Sequence, residues 1–190
     1  MKMIHSKTKL RERYLKNRLA LTVETHENQS LEIANRCLQL PIWDFENFHL
    51  FLPITAKKEV DTTLILTLLQ GRDKQVVLPR VKNNKELEHI LLTDSTKIEE
   101  NKWKIPEPLN GIVFDIKQLD VVFVPLVVFD LLGHRIGYGN GFYDRFLAQC
   151  LPETLKIGLS FFYPVQKIDG IYSGDISLDF CVCPDKVYTF

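Results

Sequence analysis

No run of apolar residues in this chain reaches the length of a membrane span. The longest, residues 121–129, is interrupted by Pro125, whereas a spanning helix needs about twenty residues. The opening stretch, MKMIHSKTKLRERYLKNR, has no apolar centre of the kind a secretory signal carries. Charge of one sign is not in excess: 24 Lys and Arg balance 24 Asp and Glu. Any polyanion must be met by a local cluster, and neither nucleic acid nor a membrane surface is expected as a partner. Cysteine is scarce, and Cys37, Cys150, Cys181 and Cys183 include no CxxC pair. They read as small buried hydrophobes of a reducing, cytoplasmic protein. Cys181 and Cys183 share one face if FCVC is a strand. The five histidines show no HExxH spacing, and no Ser/His/Asp arrangement is legible.

What is present is an ordinary globular composition: 190 residues, 45% hydrophobic and 25% charged. That suits one domain over 1–190, with no repeat or linker dividing it. Helices are expected over 7–21 with Ser6 as cap, and over 24–40 with Leu31, Ala34 and Leu38 inward. Two more are expected over 61–70 with Gly71 at C′, and over 142–151 with Tyr143, Leu147, Cys150 and Leu151 inward. Strands are expected over 48–52, 75–78 (stopped by Pro79), 89–92, 121–129, 156–161 and 180–183. Residues 101–110 read as a loop held extended by prolines. The 121–129 run is almost continuously β-branched and aliphatic, as in a strand covered on both faces. The alternation predicts a three-layer α/β sandwich with a mainly parallel sheet. In such sheets ligands sit beyond the carboxyl ends of the strands.

The segment there is FDLLGHRIGYGNGFYDRFL. It holds Gly133, Gly137, Gly139 and Gly141, out of nine glycines in the chain. Glycines let backbone amides approach a ligand and form an anion-binding concavity. Arg135 adds a forked donor for phosphate oxygens. Asp144 beside a phosphate calls for a divalent cation between them. The pattern is GxGxGF rather than GxGxxG, and no GxxxxGK[ST] occurs, so tight turns remain the alternative use for these glycines. Lys7, Arg11 and Arg18 project within about 40° of one another on a helix. They form either a triphosphate clamp or a solvated basic face. Glu59 and Asp61 either cap the helix that follows or, for Glu59, accept N–H donors of a ligand. Trp103 either stacks on a flat ring or covers the edge of the core. Asp175 is a turn residue on local pattern.

The stretch VPLVVFDLLGHRIGYGNGFYDRFL resembles the signature of the 5-formyltetrahydrofolate cyclo-ligase (5,10-methenyltetrahydrofolate synthetase) family, approximately P…FD..G.RLG.G.GYYDR.L. KTKLR, KEVDT, LPRV, WKIPEP and GDISLD resemble its other motifs, in the same order. The resemblance implies an α/β fold similar to ribose-phosphate isomerase and CoA transferases. It implies an ATP- and Mg²⁺-dependent closure of 5-formyltetrahydrofolate to 5,10-methenyltetrahydrofolate, with release of ADP and phosphate. By position, it assigns ATP contacts to Lys7, Arg11, Arg135, Gly137, Tyr138, Gly139, Asn140, Gly141, Phe142 and Tyr143. It assigns folate contacts to Ile54, Glu59, Trp103 and Tyr143, and magnesium to Asp144 and Asp175. Arg135 would stabilise the charge of the transferring phosphoryl group. A monomer is expected. Phe142 replaces a tyrosine of the pattern, and Asn140 stands where glycine or lysine is usual. A phosphosugar isomerase or CoA transferase would share the architecture without consuming ATP. A third reading, a non-catalytic nucleotide- or RNA-binding module that kept the loop, is weighed against by the zero net charge and by Asp144.

Overall fold

The computed structural model describes residues 6–190. The chain begins with α1 (Lys7–Leu19) and α2 (Val23–Cys37), then β1 (Asn47–His49), α3 (Thr63–Gln70), β2 (Gln75–Val81) and β3 (Leu87–Leu91). Three short strands follow: β4 (Ile98–Glu100), β5 (Pro106–Pro108) and β6 (Ile112–Val113). Then come β7 (Val121–Val124), β8 (Val128–Phe129), β9 (Arg135–Ile136), α4 (Phe142–Leu147), β10 (Leu155–Leu159), β11 (Phe180–Val182) and β12 (Val187–Thr189).

One eight-stranded sheet runs in the order β12-β11-β10-β7-β1-β2-β3-β6. Its middle, from β11 to β2, is parallel, and β12, β3 and β6 are antiparallel to their neighbours. Period-two alternation explains why both faces are covered. Val121 and Phe123 join the core beneath α2 and α3, together with Ile33, Cys37, Ile65 and Leu69. Val122 and Val124 face the opposite core with Phe146 and Leu147 of α4. Cys181 and Cys183 fall in that same second core, as expected for alternate strand residues. The mixed α/β architecture with a mainly parallel sheet is the one expected. No helix among the described residues is long and apolar enough to cross a membrane.

Several elements differ from expectation, each for a local reason. The 121–129 strand divides at Pro125, which lacks the N–H a central ladder needs. β7 stays in the sheet, while β8 turns out to pair with β9 as a separate hairpin. Conversely, β2 continues through Pro79 to Val81. Its parallel partner β1 pairs only as far as Val77, so no ladder bond is lost at Pro79. The proline stretch is partly a strand, with β5 antiparallel to β4. In α2 the buried residues are Ser30, Ile33, Ala34 and Cys37, while Leu31 and Leu38 are exposed. Ser30 faces inward because its Oγ accepts the Asp61 N–H at 3.1 Å, a demand that hydropathy does not reveal. The Ser6 side chain caps nothing. Gly71 is right-handed, and Asp73 takes the positive φ (56°) in its place. α4 ends at Leu147, where bonds from Gln149 to Phe146 and from Cys150 to Leu147 tighten the last turn. Leu151 lies beyond the end and is exposed.

Candidate active site

β7, β1 and β2 end side by side, and the segments after their carboxyl ends meet over one cavity of about 410 Å³. The β8–β9 hairpin sets its far wall. Asp130, fully buried, holds the hairpin loop with both oxygens. Oδ1 accepts the Leu132 and His134 N–H groups, and Oδ2 accepts Ile168 N–H and pairs with His134 Nδ1, all at 3.0 Å. The chain then enters the glycine segment, where Gly139 has φ 99° and Gly141, the residue before α4, has φ 66°. Only glycine adopts such angles without strain. Among the described residues, no hydrogen bond engages the backbone N–H groups of Tyr138, Gly139, Asn140, Gly141 or Phe142. All five of these residues line the cavity.

α1 docks on this loop. Arg11 Nε donates to the Gly137 carbonyl at 2.7 Å. The Arg11 guanidinium carbon lies where a Cβ on Gly139 would be 3.4 Å away. Lys7 forms an ion pair with Asp175, and its ammonium sits 4.7 Å from the Tyr172 ring centroid. Burial pushes the Asp175 carboxyl up, but Lys7, the Tyr172 N–H and nearby Arg135 outweigh it and hold it below its ordinary range. Arg18, third on the stripe, is no surface charge: it is 5% exposed. It donates to the Leu126 carbonyl at 3.2 Å and to the Tyr138 hydroxyl.

Tyr138 in turn donates to Glu59 Oε1. Glu59 Oε2 accepts the Ile54 N–H at 2.7 Å. Lys57 stands 3.9 Å from the centre of the Tyr138 ring. Burial raises the Glu59 carboxyl, opposed by Tyr138, Ile54 and the charges of Arg18 and Lys57. Each of its oxygens thus accepts one donor from the protein.

Arg135 is 9% exposed. It donates to the Ile176 carbonyl and to Asp144 Oδ1 at 2.8 Å. Burial lowers its pKa below the usual guanidinium value, opposed in part by the charges of Asp144 and Asp175. Asp144 Oδ1 also accepts the Ile176 N–H at 3.2 Å. Among the described residues, no hydrogen bond engages Asp144 Oδ2 or Asp175 Oδ1. Behind the site, Tyr143 has a buried, unpartnered hydroxyl. Its ring centroid is 6.0 Å from that of His49, whose ring nitrogens are also unpartnered.

Every residue that the family resemblance assigns lines this cavity except Trp103, whereas Arg18 and Gly133, nominated from spacing alone, do not. Trp103 is 49% exposed, with the Lys102 ammonium 4.3 Å from its ring. The cavity also has a wall that sequence reasoning did not nominate, made of Phe51, Leu52, Pro79, Val81, Leu87, Ile105, Pro106, Glu107 and Pro125. Lys57 and Tyr172 line it as well. LPRV and WKIPEP were legible as motifs, but only the β2–β5 approach shows that they face the site.

A family model described as the 5-formyltetrahydrofolate cyclo-ligase family matches residues 3–169. The chain belongs to this family. The 5-formyltetrahydrofolate cyclo-ligase of Escherichia coli K12 is 30% identical over 178 residues, covering 90% of this chain and 96% of that one. A probable 5-formyltetrahydrofolate cyclo-ligase of Schizosaccharomyces pombe is 28% identical, covering 85% and 86%. The 5,10-methenyltetrahydrofolate synthetase of Aquifex aeolicus superposes with a TM-score of 0.82 at 28% identity, over 96% of this chain and 92% of that one. The cyclo-ligase family thus accounts for both the sheet topology and the glycine segment.

Proposed function

We propose that this cyclo-ligase family member closes 5-formyltetrahydrofolate to 5,10-methenyltetrahydrofolate at the expense of ATP. The observation that carries the reading is the cavity itself. It joins free loop amides and the cations Lys7, Arg11 and Arg135 to an apolar wall beside Ile54 and Glu59. The amides and cations suit a polyphosphate. The apolar wall suits a flat, partly reduced heterocycle.

In this reading the loop from Gly137 to Tyr143 wraps the phosphates, with Arg11 bracing it from α1. Asp144 and Asp175 fit a hard divalent cation, since each lines the cavity and keeps one carboxylate oxygen free of internal hydrogen bonds. They would hold magnesium, which would neutralise phosphate charge. Arg135 fixes Asp144 and adds a permanent positive charge next to it. The protein's part in phosphoryl transfer is positioning and charge neutralisation. The formyl oxygen attacks the γ-phosphorus and ADP leaves. N10 then attacks the formyl carbon, the C–O bond breaks to release phosphate, and the N10 proton goes to solvent. No side chain need form a covalent intermediate. Asn140 and Phe142 lack the charge and hydroxyl that other family members carry there, so Arg11 and Arg135 carry the cationic role. Four free cysteines, three of them buried, suit a cytoplasmic setting.

The test is ADP release by the purified protein with MgATP, with and without 5-formyltetrahydrofolate. Release that depends on the folate is expected. Equal release in both samples, or none in either, would contradict the proposal.

A further inference from the structure

Glu107 lies at the centre of β5, between Pro106 and Pro108, and is 8% exposed. The strand is fastened to β2: Arg80 Nη1 donates to the Leu109 carbonyl at 2.6 Å and to the Pro108 carbonyl at 3.3 Å. Glu107 Oε1 accepts the Val81 N–H at 3.0 Å. Among the described residues, no hydrogen bond engages Oε2 and no cation pairs with the carboxylate. Arg80, the nearest charge in sequence on β2, is spent on Glu88. Glu107 lines the cavity together with the apolar side chains of Pro79, Val81, Leu87 and Ile105.

A carboxylate oxygen without a protein partner in a ligand cavity is free to take a donor from the ligand. A ligand presenting two adjacent N–H donors would supply it. The pyrimidine edge of a pterin, with its ring N3–H and exocyclic 2-amino group, has that pattern. Glu59, the other cavity carboxylate, already accepts one protein donor on each oxygen, from Tyr138 and Ile54, whereas Glu107 accepts one in all. We propose that Glu107 is the specificity-determining carboxylate that receives the pterin's N–H edge, with Glu59 fixing the loop beside it. The inference rests on the functional reading above and extends it to a residue the motifs do not assign.

The test pairs two ligands with variants of the whole chain. The ligands are 5-formyltetrahydrofolate and its analogue with a methyl group in place of the 2-amino group. Binding to wild type, Glu107→Gln and Glu107→Asp is measured by calorimetry without nucleotide, with circular dichroism as the fold control. Glutamine keeps an acceptor for the Val81 N–H but turns its other atom into a donor. Wild type is expected to prefer the parent ligand by about tenfold or more, and Glu107→Gln to bind it about tenfold more weakly with the preference lost. Glu107→Asp keeps the charge on a shorter arm, so it should weaken the parent while retaining a preference. It also serves as the reporter if the glutamine variant does not fold. A purely structural Glu107 would weaken both ligands equally or neither, and either result overturns the inference. Wild type that binds neither ligand would overturn the functional reading itself, and is distinguishable because no variant is involved.

Discussion

The Tyr138 hydroxyl, in the glycine segment, donates to Glu59 Oε1, in the segment that follows β1. The two residues come from parts of the chain that the proposed reaction uses for different substrates. Arg18 closes the triad from α1 by donating to the same hydroxyl. Tyr138→Phe removes the donor and leaves a buried carboxylate oxygen short of a partner. A loss of about 1–3 kcal/mol of stability is expected, with weaker binding of nucleotide and folate alike. Denaturant unfolding and two separate titrations check this. A variant with unchanged stability and affinities would show that the triad is incidental.

Arg11 braces the loop, so its removal should tell on ATP more than on folate. Arg11→Ala is expected to weaken ATP binding about tenfold, since a charge-assisted bond is worth roughly 1.5–3 kcal/mol and 1.4 kcal/mol is a factor of ten. Folate affinity without nucleotide should move much less. Gly139→Val should abolish ATP binding for a combined reason: φ is 99°, and the new side chain meets the Arg11 guanidinium. Titration at fixed magnesium is the measurement, and a change under twofold in Arg11→Ala would contradict it.

Asp144→Asn keeps an acceptor for Arg135 and Ile176 but loses the charge. Activity should then require far more magnesium, while the unfolding midpoint falls modestly. An unchanged magnesium titration would restrict Asp144 to orienting Arg135.

His49 and His89 lie edge to face, with ring centroids 5.1 Å apart. Burial depresses both: His49 falls well below its usual value, helped by His89, and His89 falls to about 4 despite nearby Glu88. In the unfolded chain they titrate near 6.5. Between those values the unfolded state binds more protons. Stability is therefore full above about pH 6.5 and is lost as pH falls towards 4, by up to about 1.4 kcal/mol per unit for each group. Melting curves at descending pH should show this, and His89→Phe should flatten the loss. Parallel curves for variant and wild type would contradict it.

Gly158, in β10, has no room for a methyl group. A Cβ there would lie 2.6 Å from Leu126 Cδ2 and 2.7 Å from Leu178 Cδ1. Gly158→Ala should cost about 1–3 kcal/mol of stability while leaving ligand affinities intact below the melting point. Wild-type stability in that variant would mean the second core yields more readily than its packing implies.

The sequence showed most of the architecture because period-two alternation in β2 and β7 and the apolar faces of the helices are local signals. It misjudged 121–129 because apolar content cannot say on which side of Pro125 the ladder ends. The phosphate half of the cavity was legible, since Arg135, the glycines and Asp144 sit in one short segment. Arg18 was open to misreading, because only the fold shows that Leu126 and Tyr138 come to meet it. Glu107 and its apolar neighbours could be read as motifs but not placed at the site, because they join it through pairing of distant strands, which no spacing records. Trp103 was open to two uses on local pattern and was assigned to folate by family position, and its exposed setting has no counterpart in the sequence.

The most direct test of the central claim is the absorbance of the methenyl product when the purified protein meets 5-formyltetrahydrofolate, with and without MgATP. A rise is predicted only when both substrates and magnesium are present, with one ADP formed per product. No rise with everything present, or the same rise without ATP, would contradict the account.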